Sequence, residues 1–508
     1  MTLNRRMFAH ASMLAAAGLA QAQAVAQPTG PVGAAQPAPP VRPKGPDAIV
    51  ELADYCLKTS YAQLPAAVVA VTKNQILDTL GISLAGVKES GVRELRDISL
   101  EMGGKPEARV WGGAQRVPAH EAARINATMA HALDYDDTYE KSFMHPAVVT
   151  IPTALAVADM LGNVSGEELI TAVALGVDIS CRLANSAQPG VNAFKVGWHN
   201  TTVYGYFASA FVAGKLMGLT REQLISAAGI AFHQAAGNAQ AHVDGALTKR
   251  MGPGFASYAG LFSARLAQRG VHGAKGVLEG VRGFYYQYHA SNYSRALLLD
   301  GLGTRFAGTD VSFKPWPSCR GSHTAADAAL ALFAEAGISA ADVEHIMIAN
   351  APGDFQLLNM PLEKKQRPTT TVDAQFSNPW VVAAALVDRK VGLNHFTPQA
   401  LQRADLQAVT QRIRATEDER LARPGGGPGA ARIEVQLHDG RMLSRTVAHA
   451  KGEPNHPMTP AEFAQKFFDC TEAAGMGRAQ AQVLLQQVER LEKLPQAHAL
   501  TAAAAITA

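Results

Sequence analysis

From Asp47 to about residue 305 the sequence holds a helical periodicity with little interruption, and this constrains the fold more than any single motif. Between Leu64 and Val87, the residues Val68, Val71, Ile76, Leu80 and Leu84 recur at the spacing of one helix face. Ser165-Gly-Glu-Glu168 and Thr220-Arg-Glu-Gln223 are capping boxes. In each, a hydroxyl satisfies a free helical N–H and an acidic or amide side chain returns the bond, so helices are predicted to begin just after Ser165 and Thr220. The stretch from Tyr206 to Gly218 is rich in Ala and Gly. Small side chains let helix axes approach closely, which suits a compact bundle with buried central helices.

Near Gly308 the pattern changes. A helix is predicted over Ala325 to Gly337 and a strand over Val343 to Asn350. Ile433, Val435 and Leu437 then alternate with polar residues up to Asp439-Gly440, and Met442 to Val447 returns, which spells a hairpin with a tight turn. Pro424 to Gly429 reads as a flexible loop, and beyond Pro460 the helical pattern resumes. The expected fold is mostly α: a large all-α domain over 47–309, an inserted smaller α+β domain over 310–450, and a helical return over 451–508.

Residues 1–26 read as an address. Arg5 and Arg6 open a basic segment, an Ala-rich stretch too short to span a bilayer follows, and small-x-small sites end at Ala24-Val25-Ala26. The paired arginines and Phe8 suggest a signal peptide of the twin-arginine type, and hence a periplasmic or secreted protein. Residues 27–46, rich in Pro, Gly and Ala, read as a disordered linker. The net charge of +3 includes those two arginines, so the remainder is near neutral. That argues against nucleic acid as a partner, and against a membrane once the signal is removed. The four cysteines, Cys56, Cys181, Cys319 and Cys470, have neither zinc-site nor disulfide-framework spacing.

Four segments could carry chemistry. The first is His131-Ala-Leu-Asp134-Tyr-Asp136-Asp137-Thr138, followed by His145-Pro146, at a helix end. Three carboxylates within four residues repel one another, so a metal, cationic side chains or backbone donors must hold them. The second is Trp198-His199-Asn200-Thr201-Thr202, a histidine and two hydroxyls at a helix start. The third, Lys249-Arg250-Met-Gly252-Pro-Gly254, is expected just before another helix, with glycines that let backbone approach a ligand and a lysine to pair with a carboxylate. The fourth, Lys314-Pro-Trp-Pro-Ser318-Cys319-Arg320-Gly-Ser322-His323, brings cations and hydroxyls to a helix opening at His323. A reactive thiolate at Cys319 is conceivable there, although a buried inert thiol is the commoner case.

In this order and spacing, these segments resemble the MmgE/PrpD family, which includes 2-methylcitrate dehydratase and cis-aconitate decarboxylase. Ala264 to Gly270, Leu278-Glu-Gly280 with Gly283-Phe284, and Lys451 to Met458 add to the resemblance, which runs from about residue 47 to 490. It implies a helical large domain with a smaller α+β lid, a homodimer, a small polycarboxylate substrate, and neither a metal nor an organic cofactor. It also implies that Asp134, Thr138, His145, His199, Lys249 and Lys314 line the pocket. The expected site has Asp134, His145, His199 and Lys249 as catalytic residues, with Thr138, Lys314, Cys319 and His323 contacting the substrate.

Three positions depart from the family pattern. Cys319 falls where the decarboxylase branch carries a histidine, Trp380 near a usual tyrosine, and Gly252 where many members have histidine. The implied chemistry is abstraction of a proton beside a carboxylate, with lysines stabilising the enolate-like product and a histidine moving the proton. Elimination of water, decarboxylation or epimerisation would all use this apparatus. Two readings from other classes compete: a non-catalytic periplasmic carboxylate-binding protein, and an all-α synthase binding magnesium pyrophosphate through the acidic cluster.

Overall fold

The computed structural model describes residues 45–187, 196–424 and 427–506. The expected signal peptide and nearly all of the linker lie outside these residues, as do two positions of the Pro424–Gly429 loop. The fold is mostly α-helical, with one four-stranded sheet and one two-stranded ladder.

The helices that matter here are α1 (Ala48–Lys58), α2 (Ala66–Ala85), α3 (Ala119–Ala130), α4 (Ala147–Leu161), α5 (Gly166–Ser186), α6 (Asn200–Leu216), α7 (Arg221–Gln234) and α8 (Thr248–Gln268). Both capping boxes form. Ser165 Oγ accepts from the Glu168 N–H at the start of α5, and Thr220 Oγ1 from the Gln223 N–H at the start of α7. The small-residue helix α6 is buried almost along its length, and packs against α4, α5, α7 and α8. Gly260 of α8 shows why its residues are small: a Cβ there would lie 2.4 Å from the Ser209 Cβ of α6. Among the described helices, only α5 is long and apolar enough to cross a membrane, and 94% of its most apolar stretch is buried inside the protein. A buried Asp178–Arg182 pair at 2.7 Å sits within it.

The buried apolar residues form two main cores. One is built from the helices above together with α12 (Pro460–Ala474) and α13 (Arg478–Glu489), and the other from residues between Ala325 and Leu437. The second core lies beneath a mixed sheet of strands β1 (Val343–Asn350), β2 (Ile413–Glu417), β3 (Ala431–Leu437) and β4 (Met442–Val447), in the order β2-β1-β3-β4. The hairpin β3–β4 pairs Gln436 with Met442, and β3 runs antiparallel to β1 with Ile348 opposite Ile433. Strand β2, parallel to β1, has no counterpart in the sequence reading; its Arg and Glu residues make it a charged edge. Helices α9 (His323–Ala336), α10 (Pro352–Asn359) and α11 (Asn378–Asp388) complete this unit. Chain that has left the first core returns to it through α12, which packs on α2.

Candidate active site

Helix α3 ends at His131, and the chain then runs irregularly to His145. Its residues face alternate ways. Asp134 and Asp136 contact the cations and histidines of the site, whereas Tyr135 and Asp137 turn toward other helices. The Tyr135 carbonyl accepts from Lys466 of α12 (2.8 Å), whose ammonium lies 3.8 Å from the Tyr135 ring centroid. Asp137 accepts from Gln75 of α2 (2.8 Å) and from the Ala147 N–H at the start of α4 (3.2 Å). Three neighbouring carboxylates are tolerated because each has its own partners, and they do not converge on one point. Among the described residues, no group of three or more His, Cys, Asp or Glu side chains is arranged to hold a metal ion.

Asp134 is the hub. One carboxylate oxygen lies 2.8 Å from Lys249 Nζ and 3.4 Å from Lys314 Nζ, and Lys314 also donates to the Asp134 carbonyl (2.9 Å). Burial alone would raise this carboxyl, but the two ammoniums outweigh it and hold it well below the usual range. The residue sits at φ = 52°, in the left-handed region that Asp tolerates better than most residues.

Asp136 accepts from His131 Nδ1 at 2.8 Å, and the same oxygen lies 3.0 Å from His145 Nδ1. His145 Nδ1 also lies 2.5 Å from the Asp137 carbonyl and 3.3 Å from Thr138 Oγ1. His199, at the start of α6, pairs its Nδ1 with Thr202 Oγ1 (2.7 Å) and stacks on His131 with centroids 5.7 Å apart. His242 meets His199 edge-on at 4.9 Å.

Lys249 lies inside the first turn of α8 rather than ahead of the helix, correcting the expected position. The two glycines nearby serve helix packing. A Cβ on Gly252 would come within 2.2 Å of Thr202 Oγ1 and 3.1 Å of His199 Nδ1, and one on Gly254 within 2.6 Å of the Arg124 carbonyl. Gly252→Ala should therefore displace the His199–Thr202 pair and cost about 1–3 kcal/mol of stability. A thermal unfolding midpoint equal to that of the unaltered protein would contradict this packing role.

A cavity of about 330 Å³ opens between this cluster and the second unit. His131, Asp134, His242 and Lys249 line one side, and Lys365 and Gln375 are on the other. Lys365 is half-buried and donates to the Phe376 carbonyl (2.6 Å). Gln375 Nε2 donates across to the Leu133 carbonyl (2.7 Å), and the buried Arg320–Glu140 pair (2.7 Å) makes a second tie between the units. A wider groove of about 580 Å³ beside Tyr61 lacks such converging groups; its one lysine, Lys73, is paired with Glu492.

Of the expected residues, Asp134, Thr138, His145, His199, Lys249 and Lys314 come together as one cluster. Cys319 is close enough for the Asp134 charge to act on it; burial first, then that charge, pushes its thiol up to about 12, against a reactive thiolate. His323 is fully buried with both ring nitrogens engaged, by Arg320 (3.1 Å) and the Ser318 carbonyl (3.3 Å), and it is not part of the cavity lining. Trp380 fills the second core and donates to the His395 carbonyl (2.9 Å), also away from the cavity. His131, Asp136, His242, Lys365 and Gln375 were not among the chosen residues. For His131 and Asp136 the signal was present in the acidic motif; the others lie in segments with no distinguishing spacing.

Burial keeps the histidines neutral. It takes His145 and His242 down to about 3 and holds His131, His199 and His323 below their ordinary value. The unfolded chain titrates its histidines near pH 6.5 and binds protons the fold refuses, so their stabilising share is lost as pH falls from about 6.5 toward 3. Asp137 works in the opposite sense: burial pushes it up to about 8, and its share is lost as pH rises from the ordinary carboxylate range to that value. Burial acts on Asp47, Asp78, Asp178, Asp327 and Asp354 in the same sense as on Asp137, taking Asp354 up to about 6, so the histidines' share is read by difference. Acidification from pH 7 to pH 5 should lower the thermal midpoint of the unaltered protein relative to that of His145→Gln, and an identical pH dependence of the two would show that His145 is not held neutral.

Comparison with known proteins adds the following. The model of the MmgE/PrpD N-terminal domain matches residues 50–310, and that of the MmgE/PrpD C-terminal domain residues 316–493. The cis-aconitate decarboxylase of Aspergillus terreus is 24% identical over 436 residues, covering 82% of this chain and 88% of that protein. Those of Mus musculus and Homo sapiens are 26% and 27% identical, covering 86% and 85% of this chain and 89% of each relative.

Proposed function

The chain belongs to the MmgE/PrpD family, and from that premise we propose that it is a lyase acting on a small di- or tricarboxylate. It removes a proton beside a carboxylate and eliminates water, as 2-methylcitrate dehydratase-like chemistry requires. The observation that carries this reading is the charge balance of the cavity. On the wall, Lys249 shares Asp134 with the buried Lys314 behind it, Lys364 is paired with Asp373 and Arg250 with Glu89, and Lys365 has no carboxylate within ion-pair distance among the described residues. Such an excess of positive charge in a confined space favours a ligand with several negative charges.

The substrate carboxylates take the lysines as partners. A neutral imidazole accepts the proton from the neighbouring carbon, leaving the C–H electron pair in an enolate-like state, and that pair becomes the new double bond as the C–O bond breaks. The departing hydroxide takes a proton from an imidazolium, either the ring just protonated or a second one charged from solvent, and leaves as water. Lys249 and Lys314 stabilise the dianionic enolate-like state between these events. His145 and His199 are the imidazoles first assigned to proton transfer, with Asp134 fixing the lysines. With the leader expected over residues 1–26, the working location is the periplasm or the exterior, and the active form is the homodimer that the resemblance implies.

The names of the relatives favour a second reading, in which a C–C bond breaks, carbon dioxide leaves and the resulting carbanion takes up a proton. Cys319 weighs against it. The decarboxylase branch carries a histidine at that position, whereas this thiol, pushed up to about 12, cannot exchange a proton readily near neutrality. The test is to incubate the protein with citrate-like and succinate-like acids in heavy water containing chelator, followed by NMR. Deuterium uptake with an alkene product supports the dehydratase, loss of carbon dioxide the decarboxylase, and stereochemical scrambling alone an epimerase. No exchange with any acid would count against catalysis and favour a carboxylate-binding protein.

A further inference from the structure

His131 was expected only to flank the acidic cluster, yet it combines three features that no other described histidine shares. Its Nδ1 lies 2.8 Å from Asp136, its Nε2 is buried with no hydrogen-bond partner, and the residue borders the cavity beside Asp134 and Lys249. A carboxylate can only accept, so Nδ1 carries the hydrogen and a neutral ring leaves its lone pair on Nε2. A buried acceptor left without a donor is costly and uncommon in folded proteins, and on a cavity wall it marks where a ligand completes the bonding.

His145 also carries its hydrogen on Nδ1, which lies 2.5 Å from the Asp137 carbonyl, and the two ring centroids are 5.0 Å apart. Elimination of water needs two proton transfers at neighbouring atoms, one from carbon and one to oxygen. Two neighbouring imidazoles held in the same tautomer, one by Asp136 and one by the Asp137 carbonyl, supply two such groups.

We infer that His131 is a second proton-transfer residue of this site, acting through Nε2, and that Asp136 is the positioning residue that sets its tautomer. The inference deepens the lyase reading and rests on it for the identity of the reaction. In the cycle one of the two rings, protonated from solvent at Nε2 once the substrate carboxylates arrive, gives that proton to the departing hydroxide while the other, still neutral, takes the proton from carbon and afterwards releases it to solvent. The imidazolium formed at each step faces the ionised Asp136. Asp134, Lys249, Lys314, His199 and His242 are the other titratable groups around the pair, and burial first, then the cations among them, keeps both rings neutral until substrate carboxylates arrive.

The test uses the full chain labelled with ¹⁵N-histidine, with the His131 signals assigned by their loss in His131→Gln. At pH 7 the expected spectrum shows protonated Nδ1 and unprotonated Nε2, with the Nε2 resonance moving when propane-1,2,3-tricarboxylate is added. Protonated Nε2, or an Nε2 resonance unmoved by saturating tricarboxylate, would overturn the inference whether or not turnover is found. In the deuterium-exchange assay, His131→Gln should slow exchange by at least about 10²-fold while tricarboxylate affinity stays within about threefold. Asp136→Asn should slow it similarly and shift the acid limb of the pH–rate profile, which a merely structural role would leave in place. If the unaltered protein exchanges and His131→Gln keeps pace with it, His131 is not a proton carrier. If the unaltered protein exchanges with no acid at all, the lyase reading fails, and the tautomer and its response to tricarboxylate decide the role of His131 alone.

Discussion

Replacing Lys249 with alanine should slow substrate proton exchange by about 10²–10³-fold while leaving the fold intact. The size follows from what the ammonium does. It lies 2.8 Å from Asp134, its side chain is 14% exposed, and it borders the cavity where an enolate-like dianion would form. Losing one fixed charge or donor aimed at developing negative charge typically costs a factor of that order. The fold should survive because Asp134 keeps its second cation, Lys314, and because Lys249 sits in the first turn of α8 near the cavity. Lys249→Arg is the informative companion. The charge is retained, but a planar fork replaces a compact point charge, so the rate should recover only in part. Exchange measured by NMR beside a thermal midpoint decides the matter. A Lys249→Ala protein that exchanges within a few-fold of the unaltered one would remove the lysine from the mechanism.

Asp134→Ala should produce the largest loss of stability, roughly 3–5 kcal/mol, because it leaves buried charge uncompensated. Lys314, 1% exposed, would keep only the residue-134 carbonyl, and Lys249 would lose its only ion-pair partner among the described residues. Alanine also tolerates φ = 52° less well than aspartate does. Asp134→Asn separates the two effects, since asparagine accepts the left-handed conformation and removes only the charge. Combining Asp134→Asn with Lys249→Met should recover part of the loss, as the mismatch is then reduced from two cations to one. Denaturant or thermal unfolding of the unaltered protein, Asp134→Asn, Lys249→Met and the double variant measures this coupling. Equal stability of Asp134→Ala and the unaltered protein would mean that the lysines do not depend on this carboxylate. Because Asp134 is held low, its stabilising share should also persist well below the pH at which an ordinary carboxylate loses its own.

Much of the local structure could be read directly from residue order. The capping hydroxyls at Ser165 and Thr220, the strand from Val343 to Asn350 and the turn at Asp439-Gly440 are signals that act within a few residues, and each appears where its spacing predicts. Strand β2 was missed because Ile413-Arg-Ala-Thr-Glu417 is short and polar, and only pairing with β1 makes it a strand. The position of Lys249 was misplaced for a related reason: glycines and a proline at Gly252-Pro-Gly254 resemble a turn, yet contacts with α3 and α6 require small residues inside a helix.

The sequence by itself determined a mostly helical fold, the family resemblance, and the presence of one dense cluster of carboxylates and histidines. It did not determine which carboxylate does what. Asp134, Asp136 and Asp137 are nearly equivalent by spacing, and their roles separate only through partners supplied from elsewhere in the fold. Lys249 and Lys314 reach Asp134 from 115 and 180 residues away, and Gln75 reaches Asp137 from 62. Periodicity and capping are short-range and survive in residue order. Ion pairing and desolvation depend on distances through space, so only the tertiary structure could make Asp134 a lysine hub, Asp136 the acceptor for His131, and Asp137 a buried acid turned toward the helices behind it.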